Sequence, residues 1–244
     1  MVINRGFTER YFFPKVCPLA GVSISAMVRA FTSKDKIFED LAGGLVLPKI
    51  IFGAGVLAKI WVAVDRCPGE MFVWCLVKTE TVETEVSPGV FLKQLQILVY
   101  SVYCPKQTAS NSFFQVDSDD EEAVRQEIIA EHGREAQFDK LLHLHSHGNG
   151  RTEASFFDYD QYEVYRGGGD FLITCIVNKK GCLEMTFWAW NQSIFGHQLV
   201  IFDCPWTSLS APHIISDECM FIGEEFAKRV TFNPRLRLDD GSTN

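Results

Sequence analysis

The chain has no Cys-x-x-Cys pair. Its eight cysteines stand apart, at 17, 67, 75, 104, 175, 182, 204 and 219, so a cysteine-built zinc site is not expected. Most lie inside apolar runs, where a free thiol behaves as a small hydrophobe. No run of about 20 apolar residues is present, so no membrane span is expected. The first residues lack a basic segment followed by an apolar one and a small-residue cleavage site, and no signal peptide is expected. Positive charge is also scarce. Lys and Arg number 23 against 31 Asp and Glu, a formal charge of −8. Phosphate binding needs a basic surface, so no nucleic-acid partner is expected. Internal repeats and low-complexity segments are missing. What remains is 244 residues, 47% of them hydrophobic, enough for one large core with appendages. A reducing cytoplasm is the simplest home for such a chain.

What the chain does have is a cluster of metal-ligating side chains. His145-Ser146-His147 is followed after seven residues by Ser155, and after two more by Asp158. Two imidazoles and a carboxylate suit a zinc ion that keeps one coordination position for water. Leu141, Leu142 and Leu144 lead into the motif and predict a buried strand. Residues two apart on a strand share a face, so His145 and His147 point the same way. His143 shares that face, and three such positions span about 13 Å, too far for all to reach one ion. Spacing alone leaves the choice of pair open. His145 and His147 lie nearest the loop, with Gly148 and Gly150, that returns Asp158. Ser155 followed three residues later by an acid is a helix-start pattern. It predicts a helix over 156–166, stopped by the glycines at 167–169, with Asp158 in its first turn.

These residues resemble the JAMM motif of the MPN (JAB-domain) zinc metalloproteases, in particular prokaryotic or phage-like deubiquitinase-type members. In that family an upstream glutamate precedes His-Ser/Thr-His, seven residues, Ser, two residues and Asp. His145, Ser146, His147, Ser155 and Asp158 fill every downstream position, and Glu70 is the best match upstream. Glu70 opens an apolar segment, whereas Glu80, Glu83 and Glu85 lie in a polar one and are expected in solvent. The segment 105–110, before an acidic helix, resembles the loop before the helix in this family. The resemblance covers roughly residues 48–190. It leaves an N-terminal extension over 1–47 and a C-terminal one over 191–244. Many members carry Pro after the second motif histidine; here it is Gly148, as in several prokaryotic and phage-like members.

The resemblance implies an α/β fold of MPN type, a mixed central sheet flanked by helices with a cytidine-deaminase-like architecture. It implies Zn2+ held by His145, His147 and Asp158, with Glu70 as general base and Ser155 helping to stabilise the oxyanion. The implied reaction is hydrolysis of the amide after a ubiquitin or ubiquitin-like tail. Two other readings stand beside it: an amidase of the same fold acting on a cell-wall or phage-assembly peptide, and a non-catalytic MPN scaffold. A zinc deaminase is disfavoured, because its His-x-Glu and Pro-Cys-x-x-Cys signatures are absent. A tail must lie extended to present its carbonyl, and either the segment between Glu80 and Gln94 or the loop after Cys104 is a candidate edge for it. His132, His197 and His213 have no partner at ligand spacing and read as structural or surface residues.

Elsewhere the pattern is readable in pieces. Val56, Leu57, Ile60, Trp61 and Val64 recur at helical spacing and predict a helix ending near Pro68-Gly69. Strands are expected over 70–78 and 95–103, with a turn at Ser87-Pro88-Gly89. Ser118-Asp119-Asp120-Glu121 reads as a capping-box start for a helix ending at Gly133. Residues 171–177 and 182–190, joined at Asn178-Lys179-Lys180-Gly181, predict a hairpin. Ser216 is expected to cap a last helix through Phe226. Leu41-Ala42-Gly43-Gly44 resembles a ubiquitin-like tail. The 40 residues before it are too few for such a domain, and a Gly-Gly turn is expected.

Overall fold

The computed structural model of the chain describes residues 48–139, 141–155, 158, 162, 171–189, 199–202, 204–210 and 215–236. The segment 1–47 with its Leu-Ala-Gly-Gly, most of the helix expected over 156–166, the glycines at 167–169, His197 and His213 lie outside the described residues. The described strands are β1 (Lys49–Phe52), β2 (Phe72–Ser87), β3 (Val90–Tyr103), β4 (Gln107–Ala109), β5 (Phe114–Val116), β6 (Leu142–Ser146), β7 (Phe171–Val177), β8 (Leu183–Ala189), β9 (Leu199–Phe202), β10 (Trp206–Ser208) and β11 (Val230–Phe232). The helices are α1 (Val56–Arg66), α2 (Ser118–His132) and α3 (Asp217–Lys228).

The expected α/β class, with a mixed central sheet flanked by helices, is what these elements form. Eight strands run in the order β10-β1-β3-β2-β6-β7-β8-β9. β1 is parallel to both β10 and β3, and β6 is parallel to β7; the remaining pairs are antiparallel. A second sheet, β11-β4-β5, has three short strands. The apolar stripe of α1 is buried with the inner faces of β1, β2, β3, β6, β7 and β8 in one core. Fully burying each such aliphatic side chain contributes roughly 1.5–3 kcal/mol, so this layer is the main source of stability. α3 packs along α1, with Lys59 and Glu218 paired across them. The second layer, Val124 and Ile128 of α2, meets Leu76 and Tyr103. Among the described residues no helix is long and apolar enough to cross a membrane.

Several boundaries differ from expectation, each for a local reason. β2 does not stop at Lys78. It continues to Ser87, paired with β3 from Val90 onward, because the polar stretch Thr79–Ser87 is rich in β-branched residues that suit a two-stranded ribbon. Glu70 lies just before β2 rather than inside it. The cap of α2 is Asp117, not Ser118: its carboxylate accepts from the Asp119 amide at 3.0 Å. The segment 105–110 is not all loop, since Gln107–Ala109 forms β4 and pairs with both β5 and β11. Ser216 does cap α3, accepting from the Cys219 amide. Residues 199–232, beyond the stretch covered by the resemblance, supply β9 and β10 to the main sheet and β11 to the small one.

Of the eight cysteines, the seven in described positions are all free thiols, and all but Cys182 are buried. Burial pushes the thiols of Cys75, Cys104, Cys175 and Cys204 up, so they stay protonated. That is the behaviour of core residues and not of nucleophiles.

Candidate metal centre

Topology explains why residues far apart in sequence meet. β2 and β6 are antiparallel neighbours, so the start of β2 lies beside the end of β6, with Phe72 opposite His145. Glu70, two residues before Phe72, therefore faces the exit of the histidine strand. The junction is tied by Ser146. Its amide donates to the Met71 carbonyl at 2.8 Å, and its hydroxyl accepts from the Met71 amide at 3.0 Å. Both sides of Met71 are thus clamped to the motif strand. Ser146→Ala leaves a buried backbone N–H without its partner, which costs about 1–3 kcal/mol. Urea unfolding of that variant is expected to show this loss; a loss below about 0.5 kcal/mol would mean the clamp contributes nothing.

His145, His147 and Asp158 bring one ligand atom each within 4.8 Å of one another. The two Nε2 atoms are 3.0 Å apart. Asp158 spans them, with Oδ1 3.1 Å from His145 Nε2 and Oδ2 3.5 Å from His147 Nε2. Ligand atoms on a tetrahedral ion with arms of ~2.0–2.1 Å sit ~3.3 Å apart, so the donor set fits one ion. His147 Nδ1 is 2.7 Å from the Arg151 carbonyl oxygen. Only a protonated Nδ1 can make that bond, which leaves the Nε2 lone pair facing the centre. His143 is buried but elsewhere engaged. Its ring lies 5.5 Å from that of Phe72 and 6.5 Å from that of Trp74, and it is not part of the ligand group.

Asp158 is held by a reciprocal cap. The Ser155 amide donates to its Oδ2 at 2.5 Å, and the Asp158 amide donates to Ser155 Oγ at 3.3 Å. Burial pushes the Asp158 carboxyl up, but the hydrogen bonds and charge of His145 and His147 outweigh it and hold the group well below the usual range. Burial lowers His145, so it stays neutral as a ligand must. Burial lowers His147 too, yet its bonds to Asp158 and Arg151 and the nearby Glu70 leave it raised.

Glu70 is 8% exposed, and burial pushes its carboxyl up to about 7, against the pull of His147 and with a smaller push from Asp158. It lines a cleft of about 500 Å³ together with Asn111, His147, Gly148, Gly150 and Lys179. Glu80, Glu83 and Glu85 are exposed on the ribbon, as expected for them. The ribbon is no candidate edge for a substrate at this centre. β2 leaves the centre at Phe72, and at roughly 3.3 Å per residue Glu80 is already about 26 Å along it. The hairpin of β4 and β5 is different. Its turn brings Ser110 to accept the Glu70 amide at 2.8 Å, and the Phe114 ring lies 5.8 Å from that of His145. A side chain at Gly69 would meet the Ser110 carbonyl at 2.6 Å, which is why glycine stands there.

Other residues of the centre carry no motif signal. Gln107 is buried, and its side chain accepts from the Phe72 amide at 2.7 Å and donates to the Phe72 carbonyl at 2.8 Å, acting as a strand partner. Asn178 and Lys179, read only as turn residues, reach the loop after His147. The Asn178 Nδ2 donates to the Gly150 carbonyl at 2.8 Å, and the Lys179 amide donates to that of Gly148 at 2.7 Å. Lys179 Nζ donates to the Cys67 carbonyl at 2.6 Å. Gly148 has φ 48°, which proline, locked near −65°, cannot adopt. The departure from the proline common in the resembled family thus has a local cause. A second hollow, of about 610 Å³ between β4, β5 and α3, holds none of the ligand group and none of the residues lining the first cleft; Gln107 borders it.

No family model matches this chain, and no curated protein matches it in sequence.

Proposed function

We propose that this protein is a zinc-dependent peptidase of the JAMM type, on an MPN fold, that hydrolyses the amide after the tail of ubiquitin or a ubiquitin-like protein. The observation that carries the reading is the meeting of two imidazoles and a carboxylate at one point, with one of those imidazoles, His147, sharing a cleft with the buried Glu70. In this reading His145, His147 and Asp158 hold the zinc. Three protein ligands leave a fourth position open, the pattern of catalytic rather than structural zinc sites. Bound there, zinc supplies Lewis-acid polarisation and an acidified water.

The chain's own groups do the rest. Glu70, buried beside His147 in the cleft, accepts the proton of the attacking water and hands it to the leaving amine. The Ser155 oxygen accepts from the Asp158 amide, and its hydroxyl proton is assigned to the developing oxyanion. For the substrate, β5 is one of the two outer strands of the small sheet among the described residues, and it borders the centre through Phe114. A tail added to it as a further strand lies beside Glu70 and His145. Glycines at the tail's end let its backbone approach the ion without a side-chain clash.

Three substrates test the reading: fluorogenic ubiquitin, a ubiquitin-like modifier extended beyond its Gly-Gly, and a cell-wall peptide. Chelator-sensitive release from either of the first two is expected. Release from the cell-wall peptide alone would replace the isopeptidase reading with the amidase one. Release from none, with zinc bound, would favour a scaffold.

A further inference from the structure

We infer that Asn178 is a positioning residue for the metal centre: it holds the loop whose Arg151 carbonyl orients His147. The inference rests on the zinc reading and adds to it a residue outside the motif. The Arg151 carbonyl, 2.7 Å from His147 Nδ1, is what selects the tautomer that turns Nε2 toward the ion. That carbonyl belongs to an exposed stretch, Asn149 to Arg151, flanked by Gly148 and containing Gly150. Two glycines in four residues give such a loop little stiffness of its own.

Its rigidity has to come from what it is tied to. β6 and β7 are parallel, with Ser146 opposite Val177, so the loop leaving β6 and the turn leaving β7 emerge side by side. Asn178 sits at that exit, 3% exposed. Its Oδ1 accepts from the amides of Lys180 and Cys182 at 3.0 and 2.9 Å, which fastens it to the hairpin of β7 and β8. Its Nδ2 then has one task, donation to the Gly150 carbonyl at 2.8 Å. One side chain thus joins a stiff hairpin to the loop that sets a ligand's orientation. An amide is required, because it accepts on one side and donates on the other.

Asn178→Asp separates the two halves. The carboxylate still accepts from both turn amides, but it cannot donate and it sets a negative oxygen against the Gly150 carbonyl. The zinc dissociation constant, measured by competition with a chromophoric chelator, is expected to rise 10- to 100-fold, the usual effect of losing an outer partner. The visible spectrum of the cobalt(II)-substituted variant should change, and amides 148–151 should exchange faster. The thermal midpoint of the metal-free protein should stay within a few degrees of wild type. Unchanged zinc affinity, or a loss matched by unfolding of the metal-free variant, would overturn the inference. Should Asn178→Asp fail to fold, Asn178→Ser applies the same measurements. Its hydroxyl can accept from a turn amide but is too short to reach Gly150. A wild-type protein that binds no zinc would overturn the zinc reading itself, whereas tight zinc in wild type and variant alike would overturn only the role of Asn178.

Discussion

Replacing His145 by alanine is expected to leave a protein that folds, carries almost no zinc and hydrolyses nothing. His145 is 3% exposed at the end of a central strand, and its Nε2 lies close to both other donors. Without it, His147 and Asp158 remain as a two-ligand site. Losing an outer-shell partner already costs 10- to 100-fold in metal affinity, and a direct donor carries more, so a loss above roughly 10²-fold is expected. Elemental analysis should find about one zinc per chain in wild type and close to none in the variant. His143→Ala is the matched control. It removes an imidazole two residues away that packs on Phe72 and Trp74, and the variant should keep most of its zinc even if it is less stable. Full occupancy in His145→Ala, or loss of zinc only in His143→Ala, would reassign the ligand pair.

The local part of this centre is legible in its own residues. The strand carries His145 but ends at Ser146, so His147 is the first residue beyond it, still beside His145; and Ser155, three before Asp158, caps it as the local rule predicts. The same holds for α1, with its apolar stripe, and for the Ser216 cap. Non-local pairing is where legibility ends. The β-branched residues of Thr79–Ser87 allow an extended chain, but it is the non-local pairing with β3 that carries β2 through this polar segment. Gln107 and Asn178 look like ordinary polar residues near turns. Their work depends on Phe72 and Gly150, which sequence does not place next to them. β4 and β11, three residues each, are too short for periodicity to register, yet their pairing brings the β4–β5 turn against Glu70. The two adjacent cap formers Asp117 and Ser118 are indistinguishable by type, and the geometry of the Asp119 amide chooses between them.

Glu70→Gln is the second large effect, and it separates catalysis from stability in one variant. Glutamine keeps the shape of the side chain and cannot take a proton. Hydrolysis is expected to fall by a factor on the order of 10² to 10⁴ with zinc retained, the usual contribution of a positioned acid–base group. Near wild-type turnover would remove Glu70 from the mechanism. The metal-free variant should also be more stable than wild type, in a pH-dependent way. Burial raises the Glu70 carboxyl from an ordinary 4.5 to about 7 in the folded protein. Below about pH 4.5 both folded and unfolded chains hold the proton, and the glutamate costs nothing. Between the two values the unfolded chain releases the proton while the folded one keeps it, so wild-type stability falls as pH rises. Above about 7 the folded state carries the full cost of a buried carboxylate. At ~1.4 kcal/mol per pH unit that cost is on the order of 3 kcal/mol. Metal-free Glu70→Gln should therefore match wild type at pH 4 and exceed it by up to that amount at pH 8. The metal-free comparison is the right one, because a bound dication would pull the carboxyl back down. Parallel stability curves for the two proteins from pH 4 to 8 would show that Glu70 is not the strained acid on which the mechanism depends.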